Sequence, residues 1–263
     1  MFPNHSPAGL YNDLSSAIIR ITAAGILPYH REIYNGQHPN PIPTPLVGGF
    51  GAIGHITALA PDTAVLKSGQ LVYIDCVIRG RDDPDSFFVS AIYEGFSEIR
   101  DVWRDGTFAE YAMVPLENCI PLNEARLCGG LGFFAPGLGA RETVIVCPAT
   151  GFYSGIGVQI AAAMGARVIA MGRSGEKLGK LKEEGYLMGA TKNIGVSEIM
   201  GKMMYERDAV MQLVKMIERD LFPLGRGFLD TTMFGLEQWK EALDVGAGHN
   251  GIGKCVAFTP VRS

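Results

Sequence analysis

Positive charge is in short supply. Lys and Arg together number 23 against 27 Asp and Glu, leaving a net charge of −4. No polycationic face can form from that balance, so no nucleic-acid partner is expected. Cysteine is sparse as well. The 5 cysteines (Cys76, Cys119, Cys128, Cys147 and Cys255) are odd in number, widely spaced and without a C-x-x-C pair. This argues against a disulfide framework and against a structural zinc site. Cys147 falls in an apolar run and reads as a small core residue. There is no internal repeat, no low-complexity tail and no G-X-Y period to organise the 34 glycines among 263 residues. Collagen is thereby excluded, and the glycines point to tight turns and close backbone approaches.

Targeting signals are lacking too. Met1–Pro7 has neither a basic start nor an apolar centre, so no signal peptide is expected. Thr143–Ala166 carries no charge and is nominally long enough to span a bilayer. Pro148 and several glycines divide it into a β-like run, a turn and a helix-like run. It reads as a buried β-turn-α unit, no membrane partner is expected, and the expected location is cytoplasmic.

What is present is an ordinary globular balance, 47% hydrophobic and 19% charged. Residues 15–25 carry β-branched residues in partial alternation and predict a strand. Prolines 28, 39, 41, 43 and 45 make 26–46 an ordered loop, and 47–60 is rich in glycine and small apolar residues. Leu71–Val77 and Thr107–Pro115 predict strands, with 79–106 between them as a surface insertion. This first part reads as an antiparallel, loop-rich β domain. Near Arg141 the pattern changes. Thr143–Cys147 is a continuous apolar run suited to a strand covered on both faces. A glycine-rich turn at 148–157 precedes a helix over Val158–Met164, a strand over Arg167–Met171 and a helix over Ser174–Tyr186. That order is β-α-β-α, the signature of a parallel sheet. Helices over Asp208–Asp220 and Leu236–Asp244 and a strand over Cys255–Phe258 follow.

The strongest chemical signal is Thr150-Gly151-Phe152-Tyr153-Ser154-Gly155-Ile156-Gly157, between a strand and a helix. A turn so placed aims backbone N–H groups and the positive end of a helix at one point, where a dinucleotide pyrophosphate usually sits. A plain β-α turn without ligand is the alternative. After the next strand an NAD site places Asp or Glu for the ribose. Here stand Gly172, Arg173 and Ser174, with Lys177 one turn on. A guanidinium beside a hydroxyl suits a 2′-phosphate and so favours NADP(H).

The order of parts resembles the medium-chain dehydrogenase/reductase superfamily, of the zinc-free alcohol dehydrogenase and quinone oxidoreductase type. Ile18-Ile19-Arg20-Ile21 with Ala23-Ala24-Gly25-Ile26 is similar to the family's V-x-V-x-A-x-G-I. Pro45–Gly54 is similar to P-x-V-P-G-H-E-x-x-G, Lys67–Val72 to K-x-G-D-x-V, and Gly106–Tyr111 to G-x-F-A-E-Y. The nucleotide turn, Ala163–Ala170 and Gly253–Val256 continue the series. The flavour is that of a shortened fungal-type member. The resemblance implies an α/β protein with a GroES-like β-rich catalytic domain over 1–125, completed by 225–263. It implies a truncated Rossmann-type parallel sheet domain over 126–224. The catalytic zinc of the family needs Cys where this chain has Leu27 and His where it has Phe50, so no metal is expected. The T-G-x-x-x-G-I-G turn also matches short-chain dehydrogenases, but their Y-x-x-x-K is missing.

Hydride transfer to a carbonyl needs a proton or oxyanion donor. By position, the resemblance nominates Tyr29, His30 and His38, with Tyr205 a weaker option and Lys254 as a contact to cofactor phosphate. Each has the alternative of being a packed or solvated residue. The second half of the dinucleotide fold is missing from the sequence after a short strand at 191–194. The exposed edge this would leave is covered by a homodimer, or the fold is reorganised, or the chain is marginally stable. The sequence thus points to an NADP(H)-dependent, zinc-independent oxidoreductase acting on a small carbonyl, alcohol or enone. The alternative is a catalytically degenerate relative that binds nucleotide or a small ligand without redox turnover.

Overall fold

The structure is a computed structural model. It describes residues 15–37, 42, 44–83, 86–91, 97–124, 143–164, 166–183, 207–219, 230–248 and 254–260. In chain order the elements are β1 (Ser16–Ile26), α1 (His30–Tyr34), β2 (Ala52–Leu59), β3 (Leu71–Ile74), β4 (Val77–Arg79), β5 (Phe87–Val89), α2 (Ser97–Trp103), β6 (Tyr111–Pro115) and β7 (Cys119–Pro121). Then come β8 (Thr143–Val146), α3 (Phe152–Ala163), β9 (Arg167–Ala170), α4 (Gly175–Glu183), α5 (Arg207–Glu218), β10 (Asp230–Phe234), α6 (Trp239–Gly248) and β11 (Lys254–Phe258). Contacts divide them into two compact units. One comprises Met1–Asn123, Thr231–His249 and Cys255–Ser263, the other Glu124–Asp230 and Asn250–Lys254.

The first unit is organised by β1. Its β-branched alternation buries Ala17, Ile19, Ile21 and Ala24 on one face, while Arg20 is exposed. One edge of β1 pairs antiparallel with β2. The other edge takes β6 along Ser16–Arg20 and β11 along Ala24–Ile26. The seven-stranded sheet runs β10-β11-β1-β2-β3-β7, with β6 on β1. Its core includes Ile56, Val72, Ile74, Phe108, Cys119 and Phe258. The run expected as one strand over Leu71–Val77 divides into β3 and β4, because the Asp75 side chain accepts a hydrogen bond from Val77 N–H and turns the chain. Residues 79–106 are more than a surface insertion. The β4–β5 hairpin lies there and buries Phe88 and Val89.

The second unit is a β-α-β piece. Strands β8 and β9 pair in parallel, Thr143 opposite Arg167 and Val146 opposite Ala170. Val158 and Ala161 of α3 and Leu178 and Leu181 of α4 pack with Val168 and Ala170. Ile156 and Ile160 of α3 pack with Leu213 of α5. Two expectations are corrected here. Strand β8 is not covered on both faces, since Ile145 is 64% exposed. Cys147 is exposed rather than core, because the strand ends at Val146 and Cys147 begins the turn.

Candidate functional site

Two groups of residues carry chemistry, one in each unit. In the first unit, the chain leaves β1 through Leu27-Pro28-Tyr29 and enters the short helix α1. His30 N–H donates to the Leu27 carbonyl at 3.0 Å. Leu27 N–H donates in turn to His30 Nδ1 at 3.1 Å. This reciprocal pair fixes the imidazole and places the remaining ring proton on Nε2. The ring is enclosed by Phe50 at 4.5 Å between centroids, Phe108 at 5.3 Å, Tyr34 at 5.5 Å and Tyr29 at 5.6 Å.

Glycine makes the enclosure possible. A Cβ on Gly106 would stand 2.0 Å from the Gly49 carbonyl oxygen, and Gly49 itself has φ of +97°. That close crossing brings Phe108 and Phe50 to the same imidazole. Tyr34 ties the crossing down. Its hydroxyl accepts from Gly49 N–H at 2.7 Å and donates to the Ala91 carbonyl at 3.4 Å.

Burial governs the electrostatics. His30 is fully buried, and loss of hydration pulls its pKa down to about 3. The Tyr34 phenol is held above its ordinary value, chiefly by burial, against the opposing effect of the hydrogen bond from Gly49. His30 Nε2 has no hydrogen-bond partner among the described residues. Thr107 Oγ1, on the residue before Phe108, is likewise buried and unpartnered there. Tyr29 is 40% exposed at the rim, against His30 and Phe50. Leu27 and Phe50 belong to one apolar cluster with Ile33 and Ala91. Neither offers an atom that binds zinc, and the described residues include no group of three metal-ligating side chains. His38 and Tyr205 lie outside the described residues.

In the second unit the parallel register sets the carboxyl ends of β8 and β9 side by side. Met171 N–H donates to the Val146 carbonyl, and Ala149 N–H to the Met171 carbonyl. Thr150 and Gly172 then meet, and Arg173 follows, exposed. The segment expected as a turn through Gly157 is shorter than that. Helix α3 begins at Phe152 with Gly151 as its N-cap. Gly151 N–H donates to Ser154 Oγ at 3.3 Å, and Gly155 N–H donates to the Gly151 carbonyl at 2.9 Å. Ile156 is wholly buried against α5. The N–H groups of residues 152–154 are those that a helix start leaves without intrahelical acceptors. A Cβ on Gly157 would meet nothing within 4 Å. Ser174 Oγ accepts from Lys177 N–H at 3.3 Å and caps α4, which leaves the exposed Lys177 in its first turn. Lys254 is exposed at the start of β11. The donor set at the strand ends, with an exposed guanidinium next to it, fits an anionic dinucleotide.

Comparison with known proteins agrees with this layout. Residues 14–124 match the alcohol dehydrogenase GroES-like domain. The chain is 27% identical over 185 residues to alcohol dehydrogenase 1 of Emericella nidulans, covering 61% of this chain and 49% of that protein. It spans about half the length of this curated relative. Its fold is similar to a cobalt- and zinc-bound thermostable alcohol dehydrogenase of Pyrobaculum aerophilum, with a TM-score of 0.66, 18% identity, and 94% and 92% of the two chains covered. Residues 14–124 thus form a GroES-like domain of the alcohol dehydrogenase type, and the chain has the fold of the alcohol dehydrogenases. It is also similar in fold to crotonyl-CoA carboxylase/reductase AntE, solved with NADP, with a TM-score of 0.65, 12% identity and coverages of 94% and 87%. The fold combines a GroES-like domain with a Rossmann-type β-α-β unit.

Proposed function

We propose that the chain is a member of the medium-chain dehydrogenase/reductase superfamily and an NADP(H)-dependent oxidoreductase that moves hydride to or from a small carbonyl, alcohol or enone without zinc. The observation that carries the reading is that Thr150 and Gly172 meet at the carboxyl ends of two parallel strands, with Gly151 and Ser154 opening α3 and the exposed Arg173 next in the chain. The nicotinamide cofactor supplies or accepts the hydride when bound. The turn from Thr150 through Ser154 to Gly155 and Ile156 would hold the pyrophosphate. Arg173 and Lys177 would hold the 2′-phosphate, with Lys254 as a further phosphate contact. A guanidinium where NAD sites carry an acid favours NADP(H) over NAD. The AntE structure was solved with NADP, which supports this choice.

Leu27 and Phe50 place apolar side chains where the resemblance puts zinc ligands. Polarising the carbonyl therefore falls to N–H or O–H donors. Tyr29 and His38 are the proposed proton donors. We propose a cytoplasmic homodimer; the exposed Ile145 on the outer face of β8 supports association. No helix among the described residues is long and apolar enough to cross a membrane.

The loss of the two ligand positions also favours a second reading, a member that binds nucleotide or a small ligand without redox turnover. Titration with NADPH by fluorescence or thermal shift, with NADH as control, tests the first. Saturable NADPH binding with turnover of a ketone or enone is expected, unaffected by a metal chelator. Binding of neither nucleotide would end the oxidoreductase reading, and binding without turnover across carbonyl and enone panels would favour the second.

A further inference from the structure

We propose that His30 is a catalytic residue whose Nε2–H receives the carbonyl oxygen of the substrate, an apolar-flanked ketone or aldehyde. The proposal rests on the oxidoreductase reading above and names the donor and the substrate class for it.

The His30 imidazole has one ring nitrogen satisfied and one not. Nδ1 accepts from Leu27 N–H at 3.1 Å, so the proton of the neutral ring is on Nε2. That N–H lies in a wholly buried side chain and meets no acceptor among the described residues. Leaving a buried donor unsatisfied costs about 1–3 kcal/mol. An apolar ring of the same shape would avoid that cost, since Phe50 and Phe108 pack edge-on against the imidazole. An acceptor brought by a ligand removes it.

The walls define the acceptor. Phe50, Phe108, Tyr29 and Tyr34 surround the imidazole with aromatic faces and edges. A carboxylate stripped of water there without a counter-charge would be heavily penalised, whereas a neutral carbonyl oxygen with hydrocarbon flanks is not. Burial holds the imidazole neutral, with a pKa near 3, so it donates without titrating around neutral pH. Neutral imidazoles serve as electrophiles in this way. The proposed entry is past Tyr29, the most exposed of the four rings at 40% and edge-on to His30. Exposed rings reorient on the ps–ns timescale.

With a reduced nicotinamide as the two-electron donor, the carbonyl carbon would gain a hydride and its π pair would pass to oxygen. The alkoxide stays hydrogen-bonded to Nε2–H and takes its proton from the Tyr29 hydroxyl, which solvent reprotonates.

The test uses the full chain labelled with 15N-histidine. The Nε2–H resonance of His30 is assigned by its absence in His30→Asn, whose amide oxygen retains the acceptor for Leu27 N–H. Cyclohexanone is titrated in, with methylenecyclohexane as a control of the same shape without the oxygen. A saturable downfield shift with the ketone alone is expected. No shift, or equal shifts with both, overturns the proposal. NADPH binding is measured on the same sample. NADPH binding without a ketone response defeats this proposal alone, and a ketone response without nucleotide binding defeats the oxidoreductase reading alone. In turnover, His30→Phe should lower kcat about 10²-fold, the usual cost of losing one oxyanion donor, with the KM for NADPH unchanged. Full kcat in that variant also overturns the proposal.

Discussion

Gly172 lies directly against Thr150: a Cβ on Gly172 would stand 2.7 Å from Thr150 Cγ2 and 3.3 Å from Thr150 Oγ1. The contact follows from the parallel register of β8 and β9, which brings the two chain segments out at the same level. Thr150 is β-branched and has little rotamer freedom to retreat. Gly172→Ala should therefore cost about 1–3 kcal/mol of stability through overpacking. It should also weaken NADPH binding by displacing the start of α3. Adding Thr150→Ser removes the clashing methyl and should recover most of the loss. Urea unfolding of the single and double variants measures both effects, and no recovery in the double variant would contradict the contact.

The buried imidazole of His30 makes stability depend on pH in a definite direction. In the unfolded chain it titrates near 6.5; in the folded protein it resists protonation until about 3. Below 6.5 the unfolded state therefore binds more protons, and stability falls as the pH drops toward about 3. The slope is ~1.4 kcal/mol per pH unit for this one group. Above 6.5 both states are neutral and the effect vanishes. Between pH 7.5 and pH 5, the native chain should lose about 2 kcal/mol more than His30→Asn. Equal acid sensitivity of the two proteins would show that the ring can be hydrated in the folded state.

Particular elements show where the sequence was informative. β1 was legible because Ile18, Ile19 and Ile21 with Ala17 and Ala24 already mark a strand, and it became the centre of the sheet. α1 was hidden by the prolines around it, although Pro28 precedes the helix, where proline is tolerated. The glycines of 155–157 suggested a turn, yet both lie within α3. Packing of Ile156 and Ile160 against Leu213 outweighs the ~1 kcal/mol that each glycine costs a helix. β10 carried no clear alternation and was missed. In the candidate site, the place of Arg173 beyond β9 was legible because the sequence already predicts a strand over Arg167–Met171. The enclosure of His30 was not, since Phe50 and Phe108 reach it only through a backbone crossing at Gly49 and Gly106.

Arg173 stands exposed beyond β9 and next to the Thr150–Gly172 contact. If it holds the 2′-phosphate, Arg173→Ala removes a hydrogen bond to a charged group, worth about 1.5–3 kcal/mol. NADPH affinity should fall roughly ten- to a hundredfold, while NADH affinity stays as it was. Fluorescence titration with both nucleotides separates the cases. Equal losses for both would move Arg173 out of the 2′-phosphate role.

The thiols should react in an order set by exposure. Cys147 is exposed just past the end of β8, whereas Cys119 is fully buried in the β-sheet core. Cys255 is shielded within β11, and burial raises its thiol pKa, which lowers the thiolate fraction. Among Cys76, Cys119, Cys147 and Cys255, Cys147 should take up iodoacetamide first, and Cys119 only on unfolding. Peptide mapping by mass spectrometry after timed alkylation gives the order. Cys147 lies three residues before Thr150, so saturating NADPH should slow its modification if the nucleotide occupies the turn. An unchanged rate at Cys147, in a sample shown by fluorescence to have bound NADPH, would place the nucleotide away from the β8 end.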